Sequence, residues 1–267
     1  MTTDSRDRIV LHQFRTSNFS EKARWALDFK RLPYQIVNYI PGAHEAAIRT
    51  LSGQTTAPVL QTATQVVIGS AAIIEFLDRK RPDPALYPFR VTDRSRALEV
   101  QRSWDLQMGP AARLLLFASV AAAMDSAANK LVGDDATDRR RRYRAALAFL
   151  GGVTLDDPTL GEGVYWPVGT DDPAKVRAAC DSVSRGLDWL AANINADGQL
   201  ITPGFTVADL TCAALLTPLI EIPHPALVSP VTPPAPVLAL RKEYQQHPAV
   251  HWVQMQYKRH RRPTNLV

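Results

Sequence analysis

Between residues 8 and 80 the chain alternates short β-like runs with stretches of helical spacing. Ile9 to Phe14 is mostly apolar and predicts a strand. From Ser20 to Arg31 the apolar positions Ala23, Ala26, Leu27 and Phe29 point inward from one helix. Pro33 opens a second strand, Tyr34 to Tyr39. Beyond Ser52-Gly53, the runs Ala57–Leu60 and Gln65–Ile68 predict two short strands joined by a Gln-Thr-Ala-Thr turn. Ser70 to Arg79 closes the region as a helix with Ile73, Ile74 and Leu77 at helical spacing. The order is strand, helix, strand, linker, strand, strand, helix, which is an α/β arrangement around a small mixed sheet.

Pro82-Asp83-Pro84 and Pro88 then punctuate the chain, and the pattern beyond them is helical. Long helices are predicted over Val91–Met124, Arg139–Leu150, Asp172–Ile194 and Val207–Ile220. A final helical segment, Val237–Arg261, is interrupted at His247-Pro248. Gly163 to Val168 is the one strand-like run in this half. The shift divides the chain into an α/β domain over 1–86 and an all-α domain over 87–267. Gly151–Pro173 and the proline-rich Ile222–Pro236 are long connections, of the kind that carry function or move.

Composition narrows the classes. With 46% hydrophobic and 21% charged residues, the 267-residue chain has material for a sizeable core. It lacks a run of about eighteen apolar residues, and its polar start lacks a signal-peptide core, so no membrane association and a cytoplasmic location are expected. Cys180 and Cys212 form no C-x-x-C pair, and the histidines show no H-E-x-x-H spacing, so no disulfide framework and no metal are expected. The net charge of +5 raises the question of an acidic partner. Its basic clusters, Arg139–Arg142 and Lys258–Arg262, adjoin predicted helices without interleaved aromatics. That pattern reads as solvated helix faces, and no nucleic-acid partner is expected.

Candidate chemistry begins at Arg15-Thr-Ser-Asn-Phe-Ser-Glu-Lys-Ala-Arg24, where the first strand hands over to the first helix. The mouth of a helix holds unpaired N–H groups and partial positive charge, which favour an anion such as a thiolate. Ser17, Asn18 and Ser20 are all preferred capping types. Ser20 is well placed as the cap, with Glu21, Lys22 and Ala23 in the first turn, which leaves Ser17 free for other work. At Ala57-Pro58 an ordinary trans proline is the local expectation. A cis bond there would instead turn the Ala57 N–H and C=O outward, toward an extended peptide. Gly69-Ser70 opens another helix, where Ser70 is either a cap or a ligand for a carboxylate. Phe205-Thr206-Val-Ala-Asp209-Leu210 is a capping box with a hydrophobic staple and reads as structural.

Taken in order, Ser17-x-x-Ser-x-Lys-x-Arg24, Ala57-Pro-Val-Leu60, Gly69-Ser-x-x-Ile-Ile74 and Thr206-x-x-Asp209 resemble the cytosolic glutathione transferases of the serine type. Arg24-Trp-Ala-Leu, Pro84-Ala-Leu-Tyr-Pro88 and His247-Pro-Ala-Val-His-Trp252 are supporting echoes, and the likeness covers residues 8–90 and 172–260. The resemblance implies a thioredoxin-like N-terminal domain, an all-helical C-terminal domain and a homodimer. It implies a detoxification-type transferase with glutathione as co-substrate and no other cofactor. Ser17 would contact the glutathione sulfur, Ala57 beside Pro58 would pair with the cysteinyl backbone, and Gly69-Ser70 would meet the γ-glutamyl carboxylate. A small hydrophobic electrophile would sit between domains, with Phe14, Phe19, Trp104, Met108 and Arg113 as walls. Gly69 departs from the Glu or Gln common there, and Thr55-Thr56 replace larger polar residues. Ser17 in place of cysteine argues against mixed-disulfide chemistry. The second reading is a binding or interaction protein that keeps the fold without catalysis. Conjugation, isomerisation and ether cleavage are not separable at this level.

Overall fold

The computed structural model describes residues 8–42, 44–125, 136–156, 170–201, 204–263 and 266. Four strands, β1 (Val10–Gln13), β2 (Gln35–Asn38), β3 (Val59–Gln61) and β4 (Val66–Ile68), form one sheet in the order β2-β1-β3-β4. β1 runs parallel to β2, while β3 runs antiparallel to both β1 and β4. The parallel pair needs a crossover, supplied by helix α1 (Asn18–Phe29). Helix α2 (Glu45–Ser52) occupies what the sequence reads as a linker. It is 8 residues long and buries only Ile48, so its apolar face spans little more than two turns and gives the sequence period little to show. Helix α3 (Ser70–Lys80) completes this half. A thioredoxin-like N-terminal half is thus followed by a mostly helical C-terminal half.

The helical half contains α4 (Val91–Leu106), α5 (Met108–Asp125), α6 (Ala136–Gly151), α7 (Pro173–Asn193), α8 (Val207–Leu215), α9 (Ala235–Tyr244) and α10 (Pro248–His260). The single helix predicted over Val91–Met124 is two, broken at Gln107 just before Gly109-Pro110. By length and composition Val91–Ala123 could cross a membrane, but the break divides it and α5 packs on α7 and α9. Helix α8 stops at Leu215 rather than Ile220, because Pro218 cannot donate to the helical ladder. The expected interruption at His247-Pro248 separates α9 from α10. The strand-like run Gly163–Val168 lies outside the described residues.

One contiguous core runs through both halves, from Leu11, Trp25 and Leu60 to Leu187, Leu210 and Tyr257. Helix α1 lies at its centre, packed on α3 and α8, and buries Glu21, Lys22, Arg24 and Asp28 along with its apolar face. Buried charges require partners. Lys22 pairs with Asp105 on α4, and Lys30 with Asp78 on α3. Arg261, just past α10, donates to Glu21 at 2.8 Å and also to Asp28. Arg24 meets Glu21 from the other side at 2.7 Å. The pairs that join the two halves, Lys22 with Asp105 and Arg261 with Glu21 and Asp28, therefore converge on α1.

Thr206 and Asp209 form the expected capping box at the start of α8, and Asp209 Oδ1 also accepts from Leu200 N at 2.8 Å. Burial raises the Asp209 carboxyl to about 6, against the opposing pull of those hydrogen bonds. An acid whose folded pKa is raised binds an extra proton when folded. Its contribution is full below about pH 4 and is lost as pH rises through about 6. Asp209→Asn removes this titration. Denaturant unfolding should show wild type losing about 2–3 kcal/mol relative to that variant between about pH 4 and pH 7. A flat or rising difference would contradict the assignment.

Candidate functional site

Ser17, not Ser20, caps α1. Its backbone is extended, with φ −73° and ψ 128°, and its Oγ accepts from Ser20 N at 3.2 Å. Ser20 is already one turn inside, buried, and its hydroxyl accepts from Phe14 N at 3.4 Å. The expectation that Ser17 escapes capping is therefore corrected, but its chemistry is not spent. A hydroxyl has one proton and two lone pairs, so accepting from Ser20 leaves the Ser17 proton available to donate. Two neighbours that sequence reading missed pin this mouth in place. Asn18 Nδ2 donates to Gly109 O at 3.2 Å and Leu215 O at 3.1 Å, and Thr16 Oγ1 donates to Leu150 O. Their partners lie far along the chain, so no local signal marks them.

The opposite wall is built by the approach to β3. The Ala57–Pro58 bond is cis, and among the described residues the Ala57 N–H and C=O have no hydrogen-bond partner. His44, also unforeseen, shapes the same wall. Its Nδ1 accepts from Gly42 N at 3.0 Å and its Nε2 meets Thr55 O at 2.9 Å, which fixes the neutral tautomer with the proton on Nε2. Burial lowers its pKa and keeps it neutral, while its ring meets Phe14 edge-on at 4.6 Å.

These walls enclose a cavity of about 240 Å³ that brings together Ser17, Phe14, Phe19, Ala57 and Arg113. Pro58, Gly69 and Ser70 lie beside it rather than in its walls. Pro58 is buried behind Ala57, and its carbonyl accepts from Gly69 N at 3.0 Å, which holds the start of α3 next to the cis bond. Trp104 and Met108 do not belong to this cavity, a correction. Both are buried against α7, where Trp104 meets Trp189 at 6.1 Å and the Met108 side chain fills the space that a Cβ at Gly186 would take.

Gly69 has φ +84° and ψ 147°, a conformation open to glycine and strained for other residues. Gly69→Gln should therefore lower stability by about 1–3 kcal/mol in denaturant unfolding, although a Cβ there meets no neighbour within 4 Å. An unchanged midpoint would show that the backbone relaxes.

Residues 11–85 match the family described as glutathione S-transferase, N-terminal domain. The match assigns this N-terminal region, rather than the whole chain, to that domain family. The match contains Ser17, Ala57, Pro58, Gly69 and Ser70, whereas Arg113, Trp104 and Met108 lie beyond it. A maleylpyruvate isomerase from Ralstonia sp is 38% identical over 89 residues, which is 32% of this chain and 42% of that protein. The aligned region thus spans less than half the length of this curated relative. Solved glutathione transferases share the fold across the whole chain. That from Methylobacterium radiotolerans, in complex with glutathione sulfonate, has 16% identity and a TM-score of 0.57, covering 97% of this chain and 92% of its own. The glutathione-bound enzyme from Methylobacillus flagellatus has 17% identity and a TM-score of 0.53, covering 94% and 95%.

Proposed function

We propose that this protein is a glutathione transferase family member that binds glutathione, lowers the pKa of its thiol at Ser17 and directs the thiolate at an electrophile. The observation that carries the reading is the uncommitted Ser17 proton at the mouth of α1, facing a cavity. A hydroxyl donor and a helix N-terminus both favour the charged form of a nearby sulfur. An ordinary thiol has a pKa of about 8.5, and a lowering of about one to two units gives substantial thiolate at neutral pH. The unpaired Ala57 N–H and C=O suit the cysteinyl backbone, and Ser70 at the start of α3 suits the γ-glutamyl carboxylate. In this serine-type assignment the thiolate is the nucleophile and Ser17 its stabiliser.

Steady-state conjugation assays with several electrophiles test the reading, alongside thermal shift with glutathione. Saturation at about 100 times Kd stabilises by about 2.7 kcal/mol. No shift at millimolar glutathione would favour the second reading, a fold kept without the chemistry, which Gly69 motivates by removing an expected γ-glutamyl contact. The partial relative named maleylpyruvate isomerase makes isomerisation the alternative reaction at the same thiolate. We also propose a homodimer, since Phe89 and Val91 are 90% and 78% exposed, apolar surface of the kind partners cover.

A further inference from the structure

A larger cavity, about 740 Å³, lies on the other side of Ser17, between the turn after β1 and the proline-rich strap of residues 222–233. It shares Thr16, Ser17, Leu116 and Pro218 with the smaller one, so a molecule inside it reaches the same hydroxyl. The smaller cavity falls below the range of about 300–1,000 Å³ that encloses drug-sized ligands, and the larger falls within it. Glutathione against Ala57 leaves the larger space for the second substrate.

That space is not uniformly apolar. Arg15 and Arg241 line it, together with Arg24, Glu221, His224 and Thr217. Arg24 is committed to Glu21 and Gln13. By contrast, Arg15 Nη2 donates to Val228 O at 3.2 Å, and Arg241 Nε donates to Pro218 O at 3.4 Å. Neither has a carboxylate within ion-pair distance among the described residues. A guanidinium has five N–H donors, so both keep several for a ligand. Burial and then the charge of Arg24 lower the pKa of Arg15, while burial lowers that of Arg241 against the opposing charge of Glu221. An added negative charge would relieve both.

Resting on the thiolate reading, we propose that this cavity is the acceptor site and that Arg15 and Arg241 select an electrophile bearing a carboxylate. The carboxylate takes the paired N–H donors of a guanidinium, and the apolar body lies along Leu116 and the strap toward Ser17. With an aryl chloride, the thiolate forms the C–S bond, and chloride leaves with the electron pair of the broken C–Cl bond. The thiol proton has already passed to solvent. The hydrophobic electrophile expected from the sequence thus acquires an acidic end.

The test has a binding arm that needs no glutathione. Calorimetry with para-nitrobenzoate and nitrobenzene should show the acid binding at least about tenfold more tightly to wild type. Arg241→Gln and Arg15→Gln should each lower that ratio about tenfold, and Arg241→Lys should restore part of it. A wild-type ratio near one, undetectable binding of the acid, or a ratio unchanged in both Gln variants overturns the proposal. So does a loss of glutathione affinity with the ratio intact, which would assign the arginines to glutathione's own carboxylates. If Arg241→Gln fails to fold by circular dichroism, Arg15→Gln decides. In the second arm, the kcat/KM ratio for chlorodinitrobenzoate over chlorodinitrobenzene should fall in the same variants. Acid-selective binding without conjugation of either compound would retain the anion site and defeat the thiolate reading alone.

Discussion

Arg261→Ala is expected to cost about 3–5 kcal/mol of stability, the largest loss from any single change considered, read as a drop in the urea midpoint. The reason is position. Arg261 is buried, and its guanidinium is shared by Glu21 and Asp28, both buried on α1. Truncation takes the guanidinium from both buried carboxylates, while Tyr34 Oη still donates to Asp28 at 3.3 Å and Glu21 keeps Arg24 and Tyr257. Burial by itself raises the Glu21 carboxyl, yet Arg261 and Arg24 together outweigh it and hold its pKa below the usual value. A depressed acid contributes stability above its unfolded pKa and loses it as pH falls through the folded value. Removing Arg261 should therefore move acid unfolding to higher pH. Arg261→Lys, which keeps charge but not the fork, should fall between wild type and alanine. If alanine costs less than about 1 kcal/mol, the two halves are held by the apolar core and not by this cluster.

Ser17→Ala should lower kcat/KM for glutathione conjugation about tenfold to a hundredfold, through loss of the hydroxyl donor to sulfur. It should also cost about 1 kcal/mol of stability through loss of the α1 cap. Two further variants separate these effects. Ser17→Asp keeps an acceptor for Ser20 N but removes the donor and opposes a second negative charge, so folding survives and the rate falls further. Ser17→Thr keeps cap and donor, and should retain most activity. Rates that follow stability across the series would reduce Ser17 to a cap.

Much of the N-terminal half was legible because its periods are clean. The short apolar run at Ile9–Phe14 and the apolar spacing at Ala23, Ala26 and Leu27 yield β1 and α1 within a few residues. What failed did so for physical reasons. Helix α2 is short and mostly exposed, although Gly53 at φ +77° is a left-handed C-cap that the Ser52-Gly53 pair advertises. The break at Gln107 was hidden by continuous helical spacing, with Gly109-Pro110 as the overlooked mark. The spacing marks Ser17 as a helix-mouth residue, but Ser17, Asn18 and Ser20 all compete for the cap and only the backbone dihedrals decide among them. Trp104 and Met108 show the limit most plainly. An aromatic or sulfur side chain on a long helix looks the same whether it faces a ligand or another helix, and here both face α7. The second cavity was out of reach, since Arg15 and Arg241 stand at opposite ends of the chain and meet only through the fold.

The most direct measurement is an ultraviolet titration of the thiolate of bound glutathione, in wild type and in Ser17→Ala. The account predicts a bound thiol pKa about one to two units below that of free glutathione, moving back toward the free value in the variant. A bound thiol that titrates as it does in water, or a lowered value that ignores the loss of the hydroxyl, would contradict it.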